Sequence, residues 1–76
     1  MITTQIVLQL ISKILNCSEE SLSSDSGLGK HFLWDSLGQV AIVSCLEKEF
    51  NIIVNEDNIE KLLTVTDITN YLNNKG

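Results

Sequence analysis

Ser36 is the residue in this chain best placed to do chemistry. It lies in Leu33-Trp34-Asp35-Ser36-Leu37-Gly38, directly ahead of an apolar series at helical spacing: Leu37, Val40, Val43, Leu46 and Phe50. Asp35 is a strong N-cap, because its carboxylate accepts hydrogen bonds from the free backbone N–H groups of a first helical turn. Ser36 then falls inside that turn, with its hydroxyl near solvent and near the positive end of the helix dipole. A phosphodiester built on the hydroxyl would sit where helix N-termini hold anions best. The place suits a serine that carries a group better than one that cuts a bond. Asp-Ser is a common pair at helix starts and mostly only caps, so the rest of the chain must decide.

The residues that would make Ser36 a catalyst are missing from its neighbourhood. A serine hydroxyl is a poor nucleophile until a base takes its proton. His31 is the only histidine, and the sequence has no Gly-x-Ser-x-Gly elbow. His31 reads as a solvent-facing loop residue. Cys17 and Cys45 have 27 residues between them and no thiol or histidine partner at motif spacing, and read as free structural thiols of a reducing compartment. One His and two distant Cys assemble no metal site.

Four helical segments are expected to position Ser36. Ile6, Val7, Leu10, Ile11, Ile14 and Leu15 form one apolar stripe and predict a helix over about residues 4–16, capped by Thr3 or Thr4. Residues 17–35 are rich in Ser and Gly and lose periodicity. Leu22, Leu28, Phe32 and Leu33 recur there, which predicts a long ordered loop pinned to the core. The central helix spans 36–50, with Leu37, Val40, Ile42, Val43, Leu46 and Phe50 as its apolar face and Asn51 as its stop. Ile52-Ile53-Val54 is an extended link into the core. Asn55, Glu56 and Asp57 start a short helix that buries Ile59, Leu62 and Leu63. Thr64-Val65-Thr66-Asp67 opens the last helix like a capping box, with Ile68, Tyr71 and Leu72 inside and residues 73–76 fraying.

Size and charge narrow the function. The 76 residues suffice for one domain, 43 % of them hydrophobic. A deep catalytic cleft with its own supporting shell is hard to build at this size. Ten Asp and Glu face five Lys and no Arg, for a net charge of −5. Nucleic acid is an unsuitable partner, since phosphate binding needs a basic face. A basic protein surface is a suitable one. The N-terminus lacks a signal-peptide pattern, and no apolar run reaches membrane-spanning length.

Asp35-Ser36-Leu37 with Val40, Leu46, Glu47 and Phe50 resembles the phosphopantetheine attachment site of the acyl carrier protein family. The likeness continues through Ile52, Val54, Thr64-Val65, Asp67 and Tyr71-Leu72, and covers the first helix in pattern only. It implies an all-α, four-helix acyl-carrier-like bundle, three longer helices and one short, with a long first loop and one carrier domain over 1–76. It implies 4'-phosphopantetheine, delivered from coenzyme A by a phosphopantetheinyl transferase to Ser36, with Asp35 capping the helix and Leu37 anchoring its start. The arm's thiol would hold acyl or aminoacyl groups as thioesters, and loading and acyl-transfer enzymes would do the chemistry. The implied protein is a cytoplasmic monomer, not an enzyme.

The family's fatty-acid members usually show acids along the exposed side of the central helix. Here those positions include Gly38, Gln39 and Ala41, with no charge between Asp35 and Glu47. Glu47, Glu49, Glu56, Asp57 and Glu60 lie later in the chain. Partner recognition is therefore expected at Gly38, Gln39, Ala41, Glu47 and Glu56, by dedicated partners. Trp34 is unusual before the motif and reads as an aromatic covering the core edge. A peptidyl or aminoacyl carrier of a specialised pathway, an unmodified helical adaptor and, last, a serine hydrolase are the competing readings.

Overall fold

The computed structural model describes residues 1–74. They form three α-helices, α1 (Thr4–Leu15), α2 (Ser36–Phe50) and α3 (Val65–Asn74), with short 3₁₀ turns at Glu19–Ser21 and Ile59–Leu62. The expected all-helical bundle is present. Its fourth, short helix is reduced to the 3₁₀ turn Ile59–Leu62. Glu56 and Asp57 lie in the turn ahead of it. That turn is held by Asn58, whose Oδ1 accepts from the Asn55 N–H (2.8 Å) while Nδ2 donates to the Ile53 carbonyl (2.8 Å) and to the Tyr71 hydroxyl (3.0 Å). A side chain that bonds the backbone on both sides competes with the regular helical ladder.

The long helices begin where their caps dictate, and α1 and α2 also end at theirs. Thr3 Oγ1 accepts from the Ile6 N–H at α1, and Asp35 Oδ1 from the Gly38 N–H at α2. Asn16 and Asn51 end these helices in the left-handed region, at φ 55° and 53°. Asparagine tolerates that conformation better than most residues with a Cβ. Thr64 Oγ1 accepts from the Asp67 N–H (3.0 Å), which is one half of the expected capping box.

The core consists of Val7 and Ile11 from α1, Leu22 and Trp34 from the first loop, Ile42 and Leu46 from α2, Leu62, and Val65, Ile68 and Leu72 from α3. Burying such side chains contributes about 1.5–3 kcal/mol each and outweighs helix propensity in a chain this short. Ile52 and Val54 pack against the core while Ile53 between them is exposed, as an extended link requires.

Two expectations change. Leu22 pins the first loop, but Phe32 and Leu28 are exposed. Phe32 stacks instead on His31, with ring centroids 4.9 Å apart. Asn73 and Asn74 do not fray: they belong to α3, and the Asn73 amide pairs with Ile2 through two hydrogen bonds, Ile2 N–H to Oδ1 (2.9 Å) and Nδ2–H to the Ile2 carbonyl (2.7 Å). The fraying expected at 75–76 lies outside the described residues.

The first loop is tied to the start of α3 by backbone bonds. Leu28 N–H donates to the Leu63 carbonyl (2.8 Å) and Val65 N–H to the Ser26 carbonyl (2.9 Å), forming a bridge between Gly27 and Thr64. A Cβ at Gly27 would fall 2.3 Å from the Leu63 carbonyl oxygen. Gly27→Ala should therefore lower stability by about 2 kcal/mol, the cost of overpacking against backbone. Urea unfolding followed by circular dichroism measures it. A loss no larger than a few tenths would mean that the bridge yields easily.

Candidate functional site

Asp35 and the first turn of α2 build the site. The Asp35 carboxylate bonds the Gly38 N–H (2.9 Å), and its own carbonyl accepts from the Gln39 N–H (2.8 Å). Ser36 is thereby the first helical residue, and its side chain is exposed. The N–H groups at a helix start have no carbonyl within the helix to bond. Together with the dipole they favour a negatively charged group there. A hydroxyl-linked phosphodiester fits this end of the helix, where Ser36 is exposed and the adjacent Leu37 is 82 % exposed.

The residues around Ser36 are sorted differently from the expectation. Leu37 and Val40 (63 % exposed) face outward with Ala41 and Ser44, while Gln39, Ile42 and Leu46 face the core. Apolar residues lie on both sides of α2, so the apolar pattern by itself did not determine the buried face. Gly38 determines it. A Cβ there would lie 2.7 Å from the Leu33 carbonyl oxygen and 3.0 Å from Leu15 Cδ2. Gly38 is consequently packed against the preceding loop and the end of α1 and is half-buried. Its place in the first turn, four residues before buried Ile42, was the available signal for the packed face.

Gln39 is not a surface residue. It is 8 % exposed. Its Oε1 accepts from the Trp34 indole N–H (2.6 Å), and its Nε2 donates to the Leu62 carbonyl (3.1 Å). Trp34 is fully buried at 0 % exposure, deeper than a residue covering the core edge. Its indole N–H has a partner, as buried tryptophan requires. Sequence reading had no sign that these two residues, five apart across the helix start, would bond each other.

The remaining recognition candidates separate. Ala41 and Glu56 are exposed. Glu47 is half-buried, and its Oε2 accepts from the Val54 N–H (3.1 Å), which straps the extended link to α2. His31 is half-buried and committed to the first loop. The Leu33 N–H donates to its Nδ1 (3.2 Å), which leaves Nε2–H to face Ser21 Oγ (3.2 Å). It pairs with a serine, but with Ser21. Among the described residues no group of His, Cys, Asp and Glu is arranged to hold a metal ion, and no helix is long and apolar enough to cross a membrane.

Cys17 and Cys45 are free thiols. Burial raises the Cys45 pKa above the ordinary thiol value, reinforced by the nearby Glu49 charge and opposed by Lys48. The thiolate is the reactive form, so a raised pKa leaves less of it at any given pH. Alkylation of Cys45 by iodoacetamide at pH 7.5 should be several-fold slower than that of a free thiol peptide, with its rise displaced to higher pH. Peptide mapping across pH checks this; a rate equal to the peptide's would show an exposed, ordinary thiol.

Comparison with known proteins places this geometry. The family model described as "Phosphopantetheine attachment site" matches residues 5–72. The acyl carrier protein of Buchnera aphidicola subsp. Schizaphis graminum (strain Sg) is 35 % identical over 68 residues, covering 90 % of this chain and 86 % of that protein. The acyl carrier protein of Cylindrotheca sp. (strain N1) is 33 % identical over 67 residues, covering 88 % and 84 %. An exposed serine at an acid-capped helix start, inside a matched span that contains α2 and most of α1 and α3, agrees with these likenesses. The chain belongs to the phosphopantetheine-attachment family of acyl carrier proteins, whose members are carriers and not catalysts and whose covalent cofactor is 4'-phosphopantetheine.

Proposed function

We propose that Ser36 is the attachment point of the phosphopantetheine arm, and that the chain presents acyl or aminoacyl groups to partner enzymes as one carrier domain over residues 1–76. The observation that carries the reading is the exposed Ser36 hydroxyl in the first turn of α2, held there by the Asp35 cap. When bound, the arm supplies a terminal thiol that holds the carried group as a thioester. The protein's own residues do the rest. Asp35 fixes the helix start, the first-turn N–H groups favour the phosphodiester charge, and Leu37 stands exposed beside the serine for the transferase to grip. The domain acts as a monomer in the cytoplasm, as the substrate of a phosphopantetheinyl transferase and of loading and transfer enzymes.

Incubation with coenzyme A and a broad-specificity phosphopantetheinyl transferase should raise the intact mass by one phosphopantetheinyl group. Ser36→Ala should abolish the rise. An alanine variant that is still modified would move the site elsewhere, and a natural chain that is never modified would favour the adaptor reading.

The exposed side of α2 supports dedicated partners. From Ser36 to Ser44 that side offers Leu37, Val40 and Ala41 and no charge. Of the expected recognition residues, Ala41 and Glu56 lie on the surface, Gly38 and Glu47 reach it only in part, and Gln39 is buried. A partner that docks on this face meets apolar and small side chains. This favours an aminoacyl or other specialised carrier over one read by a basic patch. A standard fatty-acid malonyl transferase should therefore work poorly on the holo-protein. Ala41→Glu should raise the rate up to about fivefold, the worth of one exposed charge pair. The gain should shrink with added salt. A natural chain malonylated as fast as a fatty-acid carrier would favour the general role.

A further inference from the structure

Gln39 is a buried side chain whose amide oxygen and nitrogen are both hydrogen-bonded, joining three parts of the fold. Its oxygen holds Trp34 of the first loop, its nitrogen holds the Leu62 carbonyl in the second 3₁₀ turn, and its backbone belongs to the first turns of α2. Trp34 and Leu62 belong with Ile42 and Leu46 to the buried core, and all four are at 0 % exposure. On the other side of the same helix start, Gly38 is closed against Leu15 and the Leu33 carbonyl. Among the described residues no buried side-chain polar atom lacks a partner.

We infer that the Trp34–Gln39–Leu62 bridge locks the seam between α2 and the second 3₁₀ turn, so that a carried apolar chain stays outside the bundle and the carrier suits short or polar cargo. The inference rests on Ser36 being the attachment point. Ser36 precedes Gln39 by three residues, so this seam is the stretch of core beside the arm's root. Opening it would strand an indole N–H, both ends of an amide and a backbone carbonyl. An alkyl chain offers those groups no hydrogen bond, so its own burial is set against their full desolvation. The lock thus acts against apolar entrants in particular, and their gain grows with chain length while the lock's cost is fixed. A purely apolar seam would carry no such penalty: side chains could part around an alkyl chain and repack on it.

The test compares octanoyl and acetyl groups carried by the holo-protein, each cleaved by hydroxylamine and each scaled to the same group on free pantetheine. In the natural chain the two scaled rates should agree within about twofold, and emission from Trp34, the only tryptophan, should not change on octanoyl loading. Gln39→Met keeps similar volume and removes both bonds. It should protect the octanoyl group about fivefold or more, leave acetyl unprotected, and shift Trp34 emission on octanoyl loading. Gln39→Glu, which retains an acceptor for the indole, should fall between. A natural chain that already protects octanoyl by fivefold overturns the inference. Equal exposure in the natural chain and in a folded Gln39→Met variant also overturns it, because something other than the bridge would then exclude the chain. Intact mass reports attachment separately: a chain that never accepts the arm refutes the carrier reading itself. In that event free decanoate added to the unmodified protein still tests the lock. Trp34 emission should respond in Gln39→Met and not in the natural chain, and a response in the natural chain would overturn the lock as well.

Discussion

The rotation of α2 about its own axis is the constraint on which the site depends. Gly38 has no Cβ, and the Leu33 carbonyl and Leu15 side chain fill the space one would take. With that contact made, Gln39, Ile42 and Leu46 must point inward, and Leu37, Val40 and Ala41 outward. Ser36 emerges on the solvent side by the same geometry. A helix turned by one residue position, about 100°, would carry Ser36 and its neighbours to a different face. The glycine lowers helix propensity by up to about 1 kcal/mol relative to alanine. The close approach it permits orients the serine, so its effect is on placement more than on local helix strength.

Much of this architecture was legible in the chain, and the exceptions share a cause. The limits of α2 follow from two local signals, the Asp35 carboxylate at one end and Asn51 at the other, and both act within a few residues of themselves. Local chemistry of this kind is read directly. The inward face of α2 was not legible from its apolar pattern, because Leu37 and Val40 repeat at helical spacing as well as Ile42 and Leu46 do. Which series is buried depends on partners 20 or so residues away, such as Leu15 and Leu62. Gln39 was expected at the surface because glutamine usually is. Its inward position depends on an indole and a carbonyl that only the tertiary fold brings together.

The short third segment shows the same division. Acids after an asparagine are a fair sign of a helix start, and Glu56 and Asp57 met that sign. Asn58 overrides it by bonding Ile53, Asn55 and Tyr71 at once. The backbone is left with only the tighter 3₁₀ turn, which is enough to bury Leu62. That turn presents the Leu62 carbonyl to Gln39 instead of using it in a longer helical ladder. The loss of a regular helix here and the presence of an acceptor for the glutamine are therefore two sides of one arrangement.

The pairing of Asn73 with Ile2 has a mechanical meaning. It joins positions 71 residues apart in the chain through two hydrogen bonds on one amide. Tension applied between the first residues and the end of α3 would run through this short link and the contact between α1 and α3. While the link holds, α2 lies on a slack branch outside the load path. Pulling on the ends would strain the clamp long before it disturbed the helix that begins at Ser36.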